Sequence, residues 1–595
     1  MLTPFDCILL TRFLQGRSFE YNELSIQEIL ALCNKKFFTH MDNEKRDPRN
    51  GWFLILILSL TVFACNLPAP TASPPSSGPI LIDPATQTVV PSEPLLTPTP
   101  AIITYQPLFE PAPCAFEVPR GYNPECGYLV VPENRARPDT RQIRLHVAIF
   151  RNRTGIPNAD PVIKISGGPG SSGLNTAGYL LGRGMDVVLE RRDFIMFDQR
   201  GTGYSLPRLD CPERMHIAPA LLGGRLSDEE SAQAIIDAFR RCRERLIAEG
   251  VDLSSYNSAA SAADINDLRL ALGYDQLNLY GISYGTRLAL TLMRDHPNAV
   301  RSAVLDSAYP LQVNLYTALA PNAERAFNVF FDRCATDTNC NGAYPDLRPV
   351  FYGLVDELNA HPVWVSLFLD NGRQNVLVDG GLLIDVLFVG LYNPAVSARM
   401  PQMIYEIRAG DYSILSERLA LYFDSSPALG MQMAVQCAEE FPFNAPEEAY
   451  AAAQGLQPQI AAFYPQSVQP LFAVCREWNS TPPDLRENLP VSSDVPTLIF
   501  AGEGDPITPP EWGRMVAGDL SRAYFYEFPA NGHWVARSSS CAIHWCRRRW
   551  PARAGRNSPS RWPTPARSGR SPSRGSRRKR RSVWSGPRGR SSACR

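Results

Sequence analysis

Histidine is scarce in this sequence, with seven among 595 residues, so any chemistry that needs an imidazole has few candidates. No Cys-x-x-Cys occurs between residues 66 and 540 and no histidine stands at ligand spacing beside a cysteine, which excludes the zinc folds built on those patterns. No glycine-rich stretch ends in Gly-Lys-Ser/Thr, which excludes a P-loop. No metal or cofactor signature and no internal repeat is present. Net charge is absent too, with 59 Lys+Arg against 59 Asp+Glu, but the balance is an average over unlike parts. From Cys541 onward there are 17 basic residues and no acidic one, which leaves 42 basic against 59 acidic before it, a net of −17. An acidic body argues against nucleic-acid binding by the main domain. What remains, 44% hydrophobic and 20% charged, is an ordinary globular composition of a size for more than one core.

Residues 1–40 read as a non-native upstream extension, because Met41 opens a better start. Arg46 and Arg49 precede an uncharged run from Trp52 to Ala64, 13 residues long, short of the about 20 that span a bilayer. A basic segment, an apolar run and a small residue before Cys65 have the order of an export signal. Val62-Phe63-Ala64-Cys65 resembles a bacterial lipobox, although Phe63 is larger than the usual residue. Residues 41–65 are therefore expected to be a lipoprotein-type signal, with Cys65 lipidated and the remainder extracytoplasmic on the cell membrane. Residues 66–103 follow as a tether, since ten prolines in 66–100 favour extended polyproline geometry and cannot form a core.

In an exported chain, eight body cysteines suggest disulfides. Proximity suggests Cys114/Cys126, Cys211/Cys242, Cys334/Cys340 and Cys437/Cys475, although eight cysteines allow 105 pairings.

The folded pattern begins near Tyr105. Gln142–Phe150 alternates as a two-faced strand, whereas Pro161–Ile165 and Phe194–Phe197 are short apolar runs of a buried parallel sheet. Ala262–Leu272 has helical periodicity, Gln276–Tyr280 is a strand, Thr286–Asp295 a helix and Ser302–Leu305 a strand. This alternation predicts an α/β fold. Residues 311–490 turn mainly helical before Thr497–Ala501 resumes the strand signature. The expected plan is an α/β fold with a mostly parallel sheet: core over 104–310, an inserted, mainly helical cap over 311–490, and core again over 491–541.

Gly281-Ile282-Ser283-Tyr284-Gly285 lies between a strand and a helix, the setting of a nucleophile elbow. Serine needs a base and an orienting acid, which follow it in chain order in this fold. His40, His146 and His216 precede Ser283, His296 lies too near, His361 begins a strand-like run in the cap and His544 falls in the tail. His533 is left as the base. Asp505, after strand Thr497–Ala501, is the expected acid, with Glu503 as its rival and Asp306 more structural. Ser166-Gly167-Gly168-Pro169-Gly170 ends an early strand, so a backbone N–H at Gly168 and that of Tyr284 are expected to form an oxyanion hole.

Ser166–Gly170, Asp198-Gln-Arg-Gly-Thr-Gly-Tyr-Ser205, Gly281–Thr286 and Gly504-Asp-Pro506 together resemble the proline iminopeptidase and tripeptidyl aminopeptidase family of α/β-hydrolases. The likeness runs from about Cys114 to about Cys541. One departure is Ser166, where many relatives carry His, although the backbone donor is retained. The resemblance implies a serine exopeptidase that releases proline or short peptides from free N-termini. It also implies cap carboxylates for the substrate ammonium, for which Glu439 and Glu440 are candidates. Asp198 and Arg200 are expected to pair with each other or with backbone to shape their loop. The competing expectations are an esterase on small acyl esters and a tethered binding protein without activity. Residues 542–595 lose all amphipathic period and read as a basic, disordered tail from a shifted reading frame, which would leave Cys541 without a partner. A native basic tail would instead bind nucleic acid or anionic lipid.

Overall fold

The computed structural model describes residues 105–543, except 138, 156–159, 225, 370–371, 424–426 and 479–482. The upstream extension, the signal with Cys65, the tether and the tail beyond 543 lie outside the described residues.

Nine strands form one sheet: β1 (Leu108–Pro111), β2 (Glu125–Pro132), β3 (Gln142–Phe150), β4 (Val162–Ile165), β5 (Phe194–Phe197), β6 (Leu277–Ile282), β7 (Val300–Asp306), β10 (Thr497–Gly502) and β11 (Ala523–Phe528). A separate hairpin pairs β8 (Val363–Leu369) with β9 (Gly372–Val378). The sheet order is β1-β2-β3-β5-β4-β6-β7-β10-β11. Pairing is antiparallel from β1 to β5 across β2 and β3, and parallel from there to β11. This is the mostly parallel α/β-hydrolase sheet that the strand and helix alternation predicts. β1, β2 and β9 are additions to that reading. Pro111, Gly127 and Pro132 interrupt the apolar pattern of the first two, and charged or polar residues fill most of the outer half of β9.

The uniform apolar runs follow from burial on both faces. In β4, Val162 enters one hydrophobic cluster while Ile163 and Ile165 enter another; in β5, Phe194 and Met196 part from Ile195 and Phe197 in the same way. Period-two geometry sends neighbours to opposite faces, so each strand feeds two layers. Helices Ser258–Ala271 and Tyr284–Asp295 bury Ile265, Leu268, Leu288 and Leu292 in the cluster that holds Ile163 and Ile165.

Between β7 and β10 the chain is mainly helical, from Leu315–Thr336 to Pro458–Trp478, with the β8–β9 hairpin inside it. Its apolar residues divide. Phe327, Phe351, Leu383 and Ile404 form a cluster separate from the sheet, whereas Met431, Val435, Phe472 and Trp478 join the sheet's own cluster. The cap thus has an outer part with its own core and an inner part that extends the hydrolase core. Among the described residues, no helix is long and apolar enough to cross a membrane.

Four disulfides join Cys114–Cys126, Cys211–Cys242, Cys334–Cys340 and Cys437–Cys475, the pairs that sequence proximity suggests. Cys541 departs from expectation, because it too is disulfide-bonded.

Candidate active site

Ser283 joins β6 to helix Tyr284–Asp295 at φ 57° and ψ −127°, a conformation that costs a non-glycine residue energy and persists only where its surroundings enforce it. The enforcement comes from close approach. A Cβ on Gly281 would lie 2.6 Å from the Gly285 carbonyl oxygen, and one on Gly285 would collide with the Ile165 carbonyl. Gly167 is equally constrained, since its Cβ would sit 2.8 Å from the Cβ of Ser283. The Ser166–Gly170 loop therefore lies directly against the elbow. Tyr284 is the first helical residue, so its N–H has no acceptor within the helix. The arrangement sets this N–H and the loop that contains Gly168 beside one serine.

Asp505 and His533 meet, with Asp505 Oδ2 2.8 Å from His533 Nδ1. Asp505 is fully buried and its carboxylate accepts hydrogen bonds from the Ile507 and Thr508 N–H groups at 3.0 and 2.9 Å and from Thr508 Oγ1 at 2.8 Å. Burial alone would raise its pKa, but the His533 charge and these donors outweigh burial and hold it below the ordinary carboxylate range. Glu503 is placed elsewhere: it pairs with Arg333 at 2.5 Å, and Arg325 Nη1 donates to its carbonyl at 2.7 Å. The Nδ1 contact leaves Nε2 of His533 to serve a nucleophile, and the ring of cap residue Tyr392 packs on the imidazole with centroids 4.8 Å apart.

The Asp198–Ser205 motif shapes the neighbouring loops. Asp198 accepts from the N–H groups of Gly173, Leu174 and Tyr204 at 2.6, 3.1 and 2.8 Å, and a Cβ on Gly203 would strike its carboxylate. Gln199 donates to the Ser166 carbonyl at 2.9 Å, which ties this motif to the loop beside the elbow. Arg200 pairs with Asp264 at 2.7 Å rather than with Asp198. Of the two partners expected for Asp198 and Arg200, backbone is therefore found and each other is not.

Glu439 and Glu440 are placed differently from a pair of ammonium-binding carboxylates. Both are buried, and Arg287 of the nucleophile helix lies between them, 3.6 Å from Glu439 and 2.8 Å from Glu440. Glu439 also accepts from Ser258 Oγ at 2.6 Å, and Ser258 Oγ is 2.9 Å from the Tyr284 hydroxyl. Glu440 accepts from the Leu315 N–H at 3.2 Å. Burial raises the pKa of both carboxyls against the lowering effect of Arg287. Committed in this way, neither stands free for an incoming ammonium. They join the cap to the helix that follows Ser283.

Residues 160–341 match a family model described as alpha/beta hydrolase fold, and residues 461–547 match one described as TAP-like protein. Serine protease Hip1 of Mycobacterium tuberculosis (strain ATCC 25618 / H37Rv) is 26% identical over 447 residues, covering 70% of this chain and 83% of that protein. Tripeptidyl aminopeptidase of Streptomyces lividans is 32% identical over 191 residues, 31% of this chain and 35% of that protein. A probable proline iminopeptidase of Streptomyces coelicolor is 26% identical over 203 residues, 33% of this chain and 50% of that protein. This chain has the α/β-hydrolase fold, and its residues 461–547 are similar to the TAP-like family.

The TAP-like match runs to residue 547, past the boundary at 541 drawn from composition. Among the described residues, one group of His, Cys, Asp or Glu side chains lies at ligand distances: Cys211, Glu213 and Cys242, whose two sulfurs are joined to each other. Several residues that shape the site carry no motif. Thr508 bridges Asp505 and His533, and Arg325 of cap helix Leu315–Thr336 donates to the Asp505 carbonyl. Lys164 is buried beneath the Ser166 loop, its Nζ donating to Ser166 Oγ and, at 2.9 Å, to Thr176 Oγ1. One signal for it does exist, since Lys164 is the single lysine between Lys45 and Lys579. Burial lowers its pKa to about 7 despite the opposing field of Asp198.

Proposed function

We propose that this hydrolase is an exported serine aminopeptidase that releases proline or short di- or tripeptides from free N-termini. The observation that carries the reading is the buried Asp505–His533 pair at 2.8 Å together with a serine held on a strained elbow in the same sheet. Asp505 fixes the imidazole tautomer with the proton on Nδ1. Nε2 of His533 takes the Ser283 hydroxyl proton as Oγ attacks the scissile carbonyl. The oxyanion is met by the N–H of Tyr284 and one from the Gly168 loop, each such donor contributing about 2.7–4 kcal/mol to the transition state. His533 then protonates the departing amine, and water, activated by the same imidazole, hydrolyses the acyl-enzyme on Ser283.

The names of the relatives favour a peptidase, and the cap over residues 311–490 favours small substrates with one free end. Four disulfides support an oxidising compartment, and a lipid on Cys65 would hold the enzyme at the membrane. The deciding assay compares aminoacyl and tripeptidyl arylamides, their N-acetylated forms, and acyl esters. Turnover of free N-terminal arylamides that acetylation abolishes is expected; turnover of esters alone would replace the peptidase with an esterase. Binding of peptides that is unchanged in Ser283→Ala, with no hydrolysis by the parent, would indicate a binding protein. For the anchor, Cys65→Ser is expected to move the protein from the membrane fraction to the soluble one.

A further inference from the structure

Asp306, the last residue of β7, has no part in the acyl-transfer chemistry but touches both halves of it. Its carbonyl accepts the N–H of Ser283 at 3.0 Å. Its carboxylate, wholly buried, accepts the N–H groups of Val535 at 2.7 Å and Ala536 at 2.9 Å, which lie two and three residues beyond His533. The next residue, Ser307, adds a third contact, since its Oγ accepts the Trp534 N–H at 2.8 Å. Three consecutive N–H groups after the histidine are thus held by the last residue of the strand beside the elbow and the residue that follows it.

The segment so held is under conformational cost. Trp534 has φ 63° and Ala530 has φ 59°, and Ser307 itself has φ 64°. Left-handed backbone at non-glycine residues persists where several contacts enforce it. Those on Trp534 come from Ser307 and, through its indole N–H at 3.0 Å, from the Tyr280 hydroxyl, which is itself 3.3 Å from the Asp306 carboxylate. We propose that Asp306 is a positioning residue that sets the Ser283 elbow and the His533 loop in one frame, so that the imidazole is aimed at the nucleophile. The titratable groups facing it are His533 and Tyr280. Its carboxyl pKa is raised by burial to about 6 against the lowering effects of the two N–H donors and His533, so above that pH the ionised group accepts from both donors.

This rests on Ser283 and His533 acting as nucleophile and base, but not on peptide as substrate. The test therefore measures the rate at which a fluorophosphonate labels Ser283 in the full chain, across pH, for the parent, Asp306→Asn and Ser307→Ala. An amide in place of the carboxylate directs an NH₂ or a weaker acceptor at two N–H groups. The labelling rate is expected to fall by about 10- to 100-fold in Asp306→Asn, and by less in Ser307→Ala. A residue that served stability alone would lower the melting temperature and leave the labelling rate of the folded protein near the parent's. A folded Asp306→Asn protein labelled within about twofold of the parent rate at every pH overturns the proposal. If that variant fails to fold, Ser307→Ala decides by the same rate. A parent that is not labelled at any pH overturns the nucleophile assignment and this inference together, whereas a labelled parent without peptide turnover overturns only the peptidase assignment.

Discussion

In the hydrolase core, adjacent residues of one strand enter different hydrophobic layers, so Val162 and Ile163 never share a cluster; in the outer cap, Phe327, Phe351, Leu383 and Ile404 gather from several helices into one. The inner cap follows neither pattern. Its helix Leu429–Glu439 sends Met431 and Val435 into the layer under the sheet and sets Glu439 and Glu440 around Arg287, one turn past the nucleophile. The difference separates what each region does. The sheet fixes where strand ends fall, and so brings Ser283, Asp505 and His533 to one edge. The inner cap adds charge pairing at the base of that edge, and the outer cap, built around its own core, reaches the acid and histidine loops through Arg325 and Tyr392.

Replacing a group at the strand edge has the largest expected effect. Ser283→Ala is expected to lower kcat by about 10⁶-fold while leaving the melting temperature near the parent's; an active variant would break the assignment of chemistry to the core. Next is the buried lysine. In Lys164 the folded pKa is about 7 against 10.5 in the unfolded chain. Below pH 7 both states carry the proton and the native state bears the full cost of burial; between pH 7 and 10.5 only the unfolded state keeps it, so this group's contribution to stability rises with pH. Relative to Lys164→Met, the parent is expected to gain about 5 kcal/mol of unfolding free energy between pH 6 and 10.5, read from denaturant titrations.

Arg287→Met tests the inner cap. Removing the one cation between two buried carboxylates is expected to cost about 3–5 kcal/mol of unfolding free energy. A loss confined to the cap, with the core's transition unchanged, would show that the two regions fold independently. Cys437→Ser with Cys475→Ser opens a link between cap helices separated by 38 residues and is expected to cost about 2–4 kcal/mol in the same measurement. The smallest effect is sought at Arg325→Ala, which frees the carbonyls of Glu503 and Asp505; a loss of about tenfold in kcat with KM little changed would mark a contribution from the outer cap to the acid loop.

The same contrast explains how far the sequence could be read. Core strands were legible because burial on both faces leaves a short, uniform run, and because Gly281, Gly285 and Gly203 each stand where a side chain would collide with the fold. Asp505 and His533 were reachable by elimination among few candidates in a fixed chain order. Glu439 and Glu440 were not, because two adjacent acids look alike on a surface and around a buried guanidinium, and Arg287 lies 152 residues from Glu439 in the chain. Asp306 ends a strand without a surrounding motif, and its partners are backbone N–H groups, which leave no trace in side-chain identity. Arg325 belongs to a cap helix whose periodicity reports burial but not what the buried face meets, and Tyr392 lies in the turn after helix Gly380–Gly390, where no periodicity marks it.

Arg287 also bears on how the chain comes into being. Its guanidinium is enclosed beside the elbow, yet Glu439, Glu440 and the Glu487 carbonyl that neutralise or accept from it arrive late in synthesis. The buried ion pairs and the Glu487 hydrogen bond of Arg287 can form only after residue 487 has been made, although Arg287 itself belongs to the first 310 residues. Ser283 thus precedes a helix whose native surroundings are completed from the far end of the cap.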